Sequence, residues 1–238
     1  MKRINYIICS VPRSGSYLLG DYLRKLGLGN PDEFLNPDIY NAKQRKNEKL
    51  KYFFNRIFEK GCENNGCGIK THLRHMEWFL DGINKKNKKN IKKEDFFKAL
   101  PELKYIFIDR KNRLRQAISY LKGLQAKAWK KQDVDPSQKF IFKFREIKRF
   151  IRELEKESLD WKEFFKKNNI RPFVIYYEDL VKNKKKVIFS LLRYLNSDVK
   201  NVKIRTDMQK QADFQTEIWV LRYKFKILKK RIRKRLRL

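Results

Sequence analysis

Residues 4–11, INYIICSV, form an unbroken, uncharged apolar run rich in β-branched side chains. Such a run predicts a short strand buried on both faces. Over SYLLGDYLRKL (16–26) the period changes. Apolar positions fall at 18, 19, 22, 23 and 26, the spacing of one helix face, and Gly27 and Gly29 close it. The alternation then recurs. CGIKT (67–71) reads as a second strand and HLRHMEWFLDGI as the helix after it. The lysine run NKKNKKNIKKEDFF, from residue 84, reads as a surface loop opening a helix. KYIFID (104–109) is a third strand, followed by a helical pattern from about Arg113 to Lys131. Phe140, Phe144, Ile147, Ile151, Leu154 and Trp161 predict a long helix over 138–168. RPFVIYYEDL (171–180) is a fourth strand, and 183–196 a further helix.

Strands alternating with helices predict an α/β protein: three layers, α/β/α, around a mainly parallel central sheet. No linker rich in Pro, Gly or Ser interrupts the chain and no repeat divides it. One domain over residues 1–223 is the simplest organisation, with 224–238 as a basic tail.

Composition narrows this. Of 238 residues 41% are hydrophobic, enough to build a core and to argue against disorder. Sixty Lys and Arg against 27 Asp and Glu leave a net charge of +33, a surface that attracts polyanions, anionic membranes or phosphorylated small molecules. Lysine is abundant throughout, so most of that charge reads as solvated surface. Cys9, Cys62 and Cys67 form no disulfide framework. The Cys62–Cys67 spacing is too wide for a zinc knuckle, and His72 and His75 are weak company, so no metal is expected. Free thiols point to a reducing compartment. The first apolar run is short and meets Pro12-Arg13 rather than a small-residue cleavage site. No stretch of 18 apolar residues is present. The expected location is cytoplasmic.

The candidate chemistry begins where the first strand ends, at Pro12-Arg13-Ser14-Gly15-Ser16. A small-residue loop opening a helix presents unpaired backbone N–H groups, and the helix dipole favours an anion there. Gly15 lets backbone approach a ligand, Ser14 and Ser16 add hydroxyls, and Arg13 adds a guanidinium fork. The loop lacks the first glycine and the lysine of G-x-x-x-x-G-K-[ST], which argues against a γ-phosphate-transferring kinase or hydrolase. An ordinary capped strand–helix turn is the plain alternative.

Five segments in order, YIICSVPRSGSYLL, GNPDEF, GIKTH, IDRKNRLRQAISYLKGLQAKAW and KQADFQTEIWVLRY, span residues 6 to 223. Together they resemble bacterial sugar sulfotransferases of the trehalose 2-sulfotransferase type, which use 3′-phosphoadenylyl sulfate (PAPS). The resemblance implies a P-loop-NTPase-like sulfotransferase fold. It implies that Arg13, Ser14, Gly15 and Ser16 hold the 5′-phosphosulfate end of PAPS. The family usually has Thr next; here Tyr17 stands in its place. Arg110 and Ser119 are implied for the 3′-phosphate, Arg222 for a further nucleotide or acceptor contact, Glu33 as general base and Lys70 as a cation at the transferring sulfonate. Asp32 is the neighbouring rival to Glu33, and His72 and His75 are bases where the family does not ask for one. Gln125, Trp129 and His72 are candidates for the acceptor cleft. Gln211, Ala212, Asp213 and Trp219 complete the distal match, Trp219 as packing.

The implied reaction is in-line transfer of a sulfonate from PAPS to a hydroxyl of a sugar or glycolipid, releasing adenosine 3′,5′-bisphosphate (PAP), with no metal. The insert at 84–93 and the tail depart from the trehalose type, and the acceptor stays open. RYKFKILKKRIRKRLRL (222–238) holds ten Lys and Arg interrupted by apolar residues. As a helix it would suit an anionic membrane; as a frayed tail it would simply be solvated. Aromatic residues around 140–150, expected to be exposed, could serve a homodimer. The rival class is a basic nucleotide-, nucleic-acid- or membrane-binding protein without activity; it accounts for the charge but not for five ordered motifs, and no specific nucleic acid is expected.

Overall fold

The computed structural model describes residues 4–36, 50–87, 90–92, 94–95, 103–199, 204–207 and 213–235. It forms two compact units, one of Met1–Lys111 with Glu157–Asp207 and one of Asn112–Lys156 with Met208–Leu238.

The first unit carries the sheet. Its strands are β1 (Ile4–Ser10), β2 (Cys62–Glu63), β3 (Gly66–His72), β4 (Lys104–Asp109) and β5 (Phe173–Tyr176), in the order β2-β3-β1-β4-β5. The pairings β1·β3, β1·β4 and β4·β5 are parallel; the short β2 runs antiparallel to β3. This is the mainly parallel α/β sheet that the apolar runs predict. Strand alternation sends β1 side chains to opposite faces. Tyr6 and Ile8 join Ile106, Ile108 and Ile175 under helices α1 (Ser16–Lys25) and α7 (Lys184–Leu195), whose Leu19, Leu23, Ile188 and Leu191 are fully buried. Phe107 points the other way and meets Phe165 of α5 (Phe144–Lys167) edge-on at 5.5 Å. Trp161 of α5, also fully buried, donates to the Ser10 carbonyl at 3.2 Å.

α2 (Leu50–Glu59) and β2 lie outside the elements read from the sequence, and α3 (Leu73–Asn87) carries helix into the lysine run expected as loop. Half of the rest of that run lies outside the described residues. The fourth strand is shorter than expected. It stops at Tyr176 and turns directly into α6 (Tyr177–Lys182), because Glu178 and Asp179 suit a helix first turn.

The cysteine expectation is overturned. Cys62 and Cys67 are directly opposed across the β2·β3 pair and joined as a disulfide; Cys9 is free and buried. The turn Asn64-Asn65, with Asn64 in the left-handed region at φ 50°, folds the two cysteines face to face.

In the second unit, α4 (Arg113–Ala126) is capped by Asn112, whose side chain accepts from the Arg115 N–H at 3.0 Å. It ends at Lys127 with φ 50°, short of the expected Lys131. The long helix likewise starts at Phe144, not 138. Gln125 holds the preceding segment by exchanging two 2.8 Å hydrogen bonds with the backbone of Ile141. Helix α8 (Phe214–Arg235) runs without a break through the expected boundary at 223/224. It meets α4 through Arg115–Glu217, a bidentate pair at 2.5 and 2.6 Å, and through Lys122, which donates to Asp213 at 2.7 Å. Phe144 and Phe150, among the aromatics expected to be exposed, are buried, against Tyr223 and Tyr120. No helix among the described residues is long and apolar enough to cross a membrane.

Candidate functional site

The loop after β1 is built by two left-handed residues, Arg13 (φ 62°) and Gly15 (φ 90°). The Ser14 N–H donates to the Val11 carbonyl at 3.1 Å, and Gly15 caps α1. A Cβ on Gly15 would lie 2.5 Å from Cδ2 of Tyr177, so the position requires glycine on both conformational and steric grounds. Ser14 is fully buried, and among the described residues its hydroxyl has no hydrogen-bond partner. Ser16 is buried in the first turn.

Two guanidinium groups converge here. Arg110, one residue past β4, donates to the Arg13 carbonyl at 3.4 Å, and its head lies 4.5 Å from the centre of the Tyr177 ring. Burial, and then the neighbouring Arg110 charge, lower the Arg13 pKa to about 10. Paired cations of this kind are relieved by an anion. An orphaned buried hydroxyl, a glycine turn and two arginines meet at this strand–loop–helix, an arrangement that suits an anion, with the Glu178 carboxylate 3.7 Å from Arg110 Nε. Tyr177 is the part of it that sequence reading missed; no spacing or composition signal marks it.

A buried carboxylate lies beside this loop. Glu33 is 5% exposed, its rival Asp32 half-exposed at the side chain. Asp32 fixes the segment to β3, because its carbonyl accepts from Lys70 N–H at 3.0 Å and its carboxylate accepts from Glu33 N–H at 2.8 Å. Around Glu33 stand Lys70 Nζ and His72 Nε2, each 3.5 Å from Oε1, and His75 Nδ1, 3.6 Å from Oε2. Burial alone would raise the Glu33 pKa; the hydrogen bond from His72, with the charges of His72 and Lys70, outweighs it and holds the carboxyl well below its usual range. Lys70 is shifted down by burial, which Glu33 and Asp32 only partly offset.

Tyr17 joins loop to carboxylate. Its ring centre lies 3.0 Å from Lys70 Nζ and its hydroxyl bonds Glu33. So the first unit brings together Arg13, Ser14, Gly15, Ser16, Tyr17, Glu33, Lys70, His72 and Arg110. The second unit holds the other residues singled out. Ser119 sits on α4. Gln125 spends its amide on Ile141. Trp129 stacks on Tyr120 at 5.7 Å. Arg222 lies over Phe142 at 4.6 Å, and Trp219 is buried. Gln211 and Ala212 lie outside the described residues.

Comparison with known proteins agrees with this α/β architecture. The Stf0 sulphotransferase family model matches residues 5–226, and the chain belongs to that family. It is 24% identical over 121 residues to the trehalose 2-sulfotransferase of Mycobacterium tuberculosis, a match covering 50% of this chain and 45% of that protein. The trehalose 2-sulfotransferase of Mycolicibacterium smegmatis gives 25% over 120 residues, with the same coverage. The match thus spans about half the length of these curated relatives. Among solved structures, a sulfotransferase domain from the curacin biosynthetic pathway superposes with a TM-score of 0.54 at 16% identity, over 91% of this chain and 82% of that one. The likeness fixes the sulfotransferase fold.

Proposed function

We propose that this protein transfers a sulfonate group from PAPS to a hydroxyl of a carbohydrate or glycolipid. The observation that carries the reading is Tyr17. One side chain from the first turn of α1 touches both Lys70 and Glu33, so the anion-holding loop and the buried carboxylate form one site. The trehalose-sulfating relatives favour a sugar as acceptor.

In this reading the backbone of Gly15 and Ser16, the Ser14 hydroxyl and the Arg13 guanidinium receive the 5′-phosphosulfate end. Arg110 supplies charge for the nucleotide's other phosphate. Glu33, ionised and buried, takes the proton of the acceptor hydroxyl as that oxygen forms its bond to sulfur. The bond from sulfur to the bridging phosphate oxygen breaks, and PAP leaves. Lys70, held between Glu33 and the Tyr17 ring, offsets charge that grows on the bridging oxygen. Fixed positioning supplies the remaining acceleration.

The test is calorimetric titration with PAP, 5′-AMP and ATP on the wild type and on Arg110→Ala. Tight PAP binding that collapses in the variant supports the reading. PAP binding no tighter than 5′-AMP refutes a 3′-phosphate site.

A second reading concerns α8. Phe214, Ile218, Leu221, Phe225, Leu228 and Ile232 are exposed along it at intervals of four and three. Nine Lys and Arg between residues 222 and 235 flank that stripe, with no acid among them. The combination suits an anionic membrane surface, where a lipid-linked acceptor would lie. Co-sedimentation with phosphatidylglycerol vesicles but not with phosphatidylcholine vesicles is the expected result; equal or absent binding to both removes the reading.

A further inference from the structure

The carboxylate cluster contains more than an acid–base pair needs. His72 ends β3 and His75 stands three residues on, in the first turn of α3, so the strand–helix junction brings their rings to 4.9 Å. Glu33 faces both. Its two oxygens lie 3.5 and 3.6 Å from His72 Nε2 and His75 Nδ1, and all three donor atoms fall within 4.8 Å of one another. The edge of a tetrahedron around zinc, with bonds of about 2.0–2.1 Å, is roughly 3.4 Å. Each imidazole nitrogen already stands near that length from one of the two carboxylate oxygens, and side-chain torsions close the remaining distances from 4.8 Å or less.

The tautomer of His72 suits a ligand. The Ser10 hydroxyl donates to the Thr71 carbonyl at 3.1 Å, so both Ser10 oxygens act as acceptors toward His72 Nδ1, at 3.0 and 2.9 Å. The ring proton is thereby placed on Nδ1, and Nε2, which faces Glu33, is the nitrogen left for a metal in place of its hydrogen bond to Glu33. A histidine whose other nitrogen donates to a carbonyl is the arrangement metal-binding imidazoles adopt. His75 adds the second observation. It is 7% exposed, and among the described residues its buried Nδ1 has no hydrogen-bond partner.

We propose that Glu33, His72 and His75 form a three-ligand site for a borderline divalent cation of the Zn²⁺ class, with a fourth position left for water. Two imidazoles and one carboxylate suit Zn²⁺ and Co²⁺ rather than Mg²⁺ or Ca²⁺, which favour oxygen ligands. The charged neighbours are Lys70, Asp32, Arg74 and Glu157. Lys70 keeps Asp32 and the Tyr17 ring as partners when Glu33 turns to the metal. Glu157, from α5, adds negative charge near His72 and Arg74. A bound cation occupies the carboxylate that sulfonate transfer uses as base, so metal loading inhibits that reaction. Binding itself does not depend on the sulfotransfer reading.

The full chain, freed of any affinity tag and stripped with chelator, is titrated with Zn²⁺ by calorimetry and with Co²⁺ by visible absorption, with Mg²⁺ as control. The expected result is one Zn²⁺ per chain, an intense tetrahedral Co²⁺ band and no Mg²⁺ binding. His75→Gln and His72→Gln, each checked for folding by circular dichroism, weaken Zn²⁺ binding by at least about tenfold. Should either variant fail to fold, Glu33→Gln takes its place. No Zn²⁺ binding by the folded wild type overturns the proposal, as does stoichiometric binding that survives the substitutions. If sulfonate transfer is absent while Zn²⁺ binds as described, the sulfotransfer reading fails and the metal site stands.

Discussion

The ammonium of Lys70 lies against the face of Tyr17, 3.0 Å from the ring centre, with the carboxylate of Glu33 on its other side. A fully buried lysine in the first unit is thus held by an aromatic face and an anion together. Tyr17, in the first turn of α1, supplies that aromatic face. Tyr17→Phe keeps the ring and loses only the hydroxyl bond to Glu33. Tyr17→Ala removes both and is expected to cost about 1–2 kcal/mol more than Tyr17→Phe, the range of a desolvated cation–π contact. Urea unfolding midpoints of the two variants measure the difference. Equal midpoints would mean that the ring contributes nothing.

Glu33→Gln preserves shape and removes the proposed base. The turnover of labelled PAPS with an accepted sugar should fall by about 10²–10⁴-fold, the usual contribution of a positioned base. PAP affinity should stay within a few-fold of the wild type, since Glu33 does not line the anion turn. A small loss of turnover would pass the role to Asp32 or His72.

Gly15→Ala meets two obstacles, a left-handed φ of 90° and the Tyr177 ring. The backbone conformation alone costs about 1–2 kcal/mol. PAP binding should be lost while the far-UV spectrum persists. Combining the change with Tyr177→Ala clears the clash but not the φ penalty, so only part of the affinity should return.

Asp21 gives the fold a pH dependence away from the site. Burial alone would raise its pKa, but bonds from Arg24, the Thr206 hydroxyl and the Asp207 N–H hold it below the ordinary value of 3.8. Between the two values the unfolded chain binds more protons than the folded one. The contribution is therefore complete above the ordinary carboxylate pKa and disappears as pH falls through the folded value. Asp21→Asn should flatten the fall in urea midpoint from about pH 5 downward. An unchanged slope would show that another carboxylate sets it.

The Cys62–Cys67 bond closes a short loop, for which chain entropy gives about 2 kcal/mol. Peptide mapping without reductant should recover the linked pair. Cys62→Ser with Cys67→Ser should lower stability by no more than that amount.

What the chain revealed on inspection followed its periodicities. β1 and β4 are uninterrupted apolar runs, and both were legible to within a residue. A strand pattern carries β5 past its end because Tyr176 and Tyr177 look alike to it, whereas Glu178 and Asp179 start a helix. Read only as a metal motif, C-x4-C hides the disulfide; the Asn-Asn-Gly turn between the cysteines is the signal that pairs them. Glu33, Lys70 and the glycine turn were visible through local motifs. Their assembly was not: Tyr17 packing on Lys70, Tyr177 sealing Gly15 and His75 facing Glu33 are contacts across elements, which no local window contains.

The sheet also ends in two short borders. One is the two-residue β2, stapled to β3, whose onward backbone is met at Gly68 by Gly61 and at Ile69–Lys70 by Asp32; the other is the four-residue β5. Long bare borders invite further strands from other molecules, and neither of these offers enough backbone to template one. Despite a core of continuous apolar strands, concentrated solutions of the folded protein should resist ordered, strand-mediated aggregation. Fibril-type dye binding should appear only under conditions that unfold the sheet.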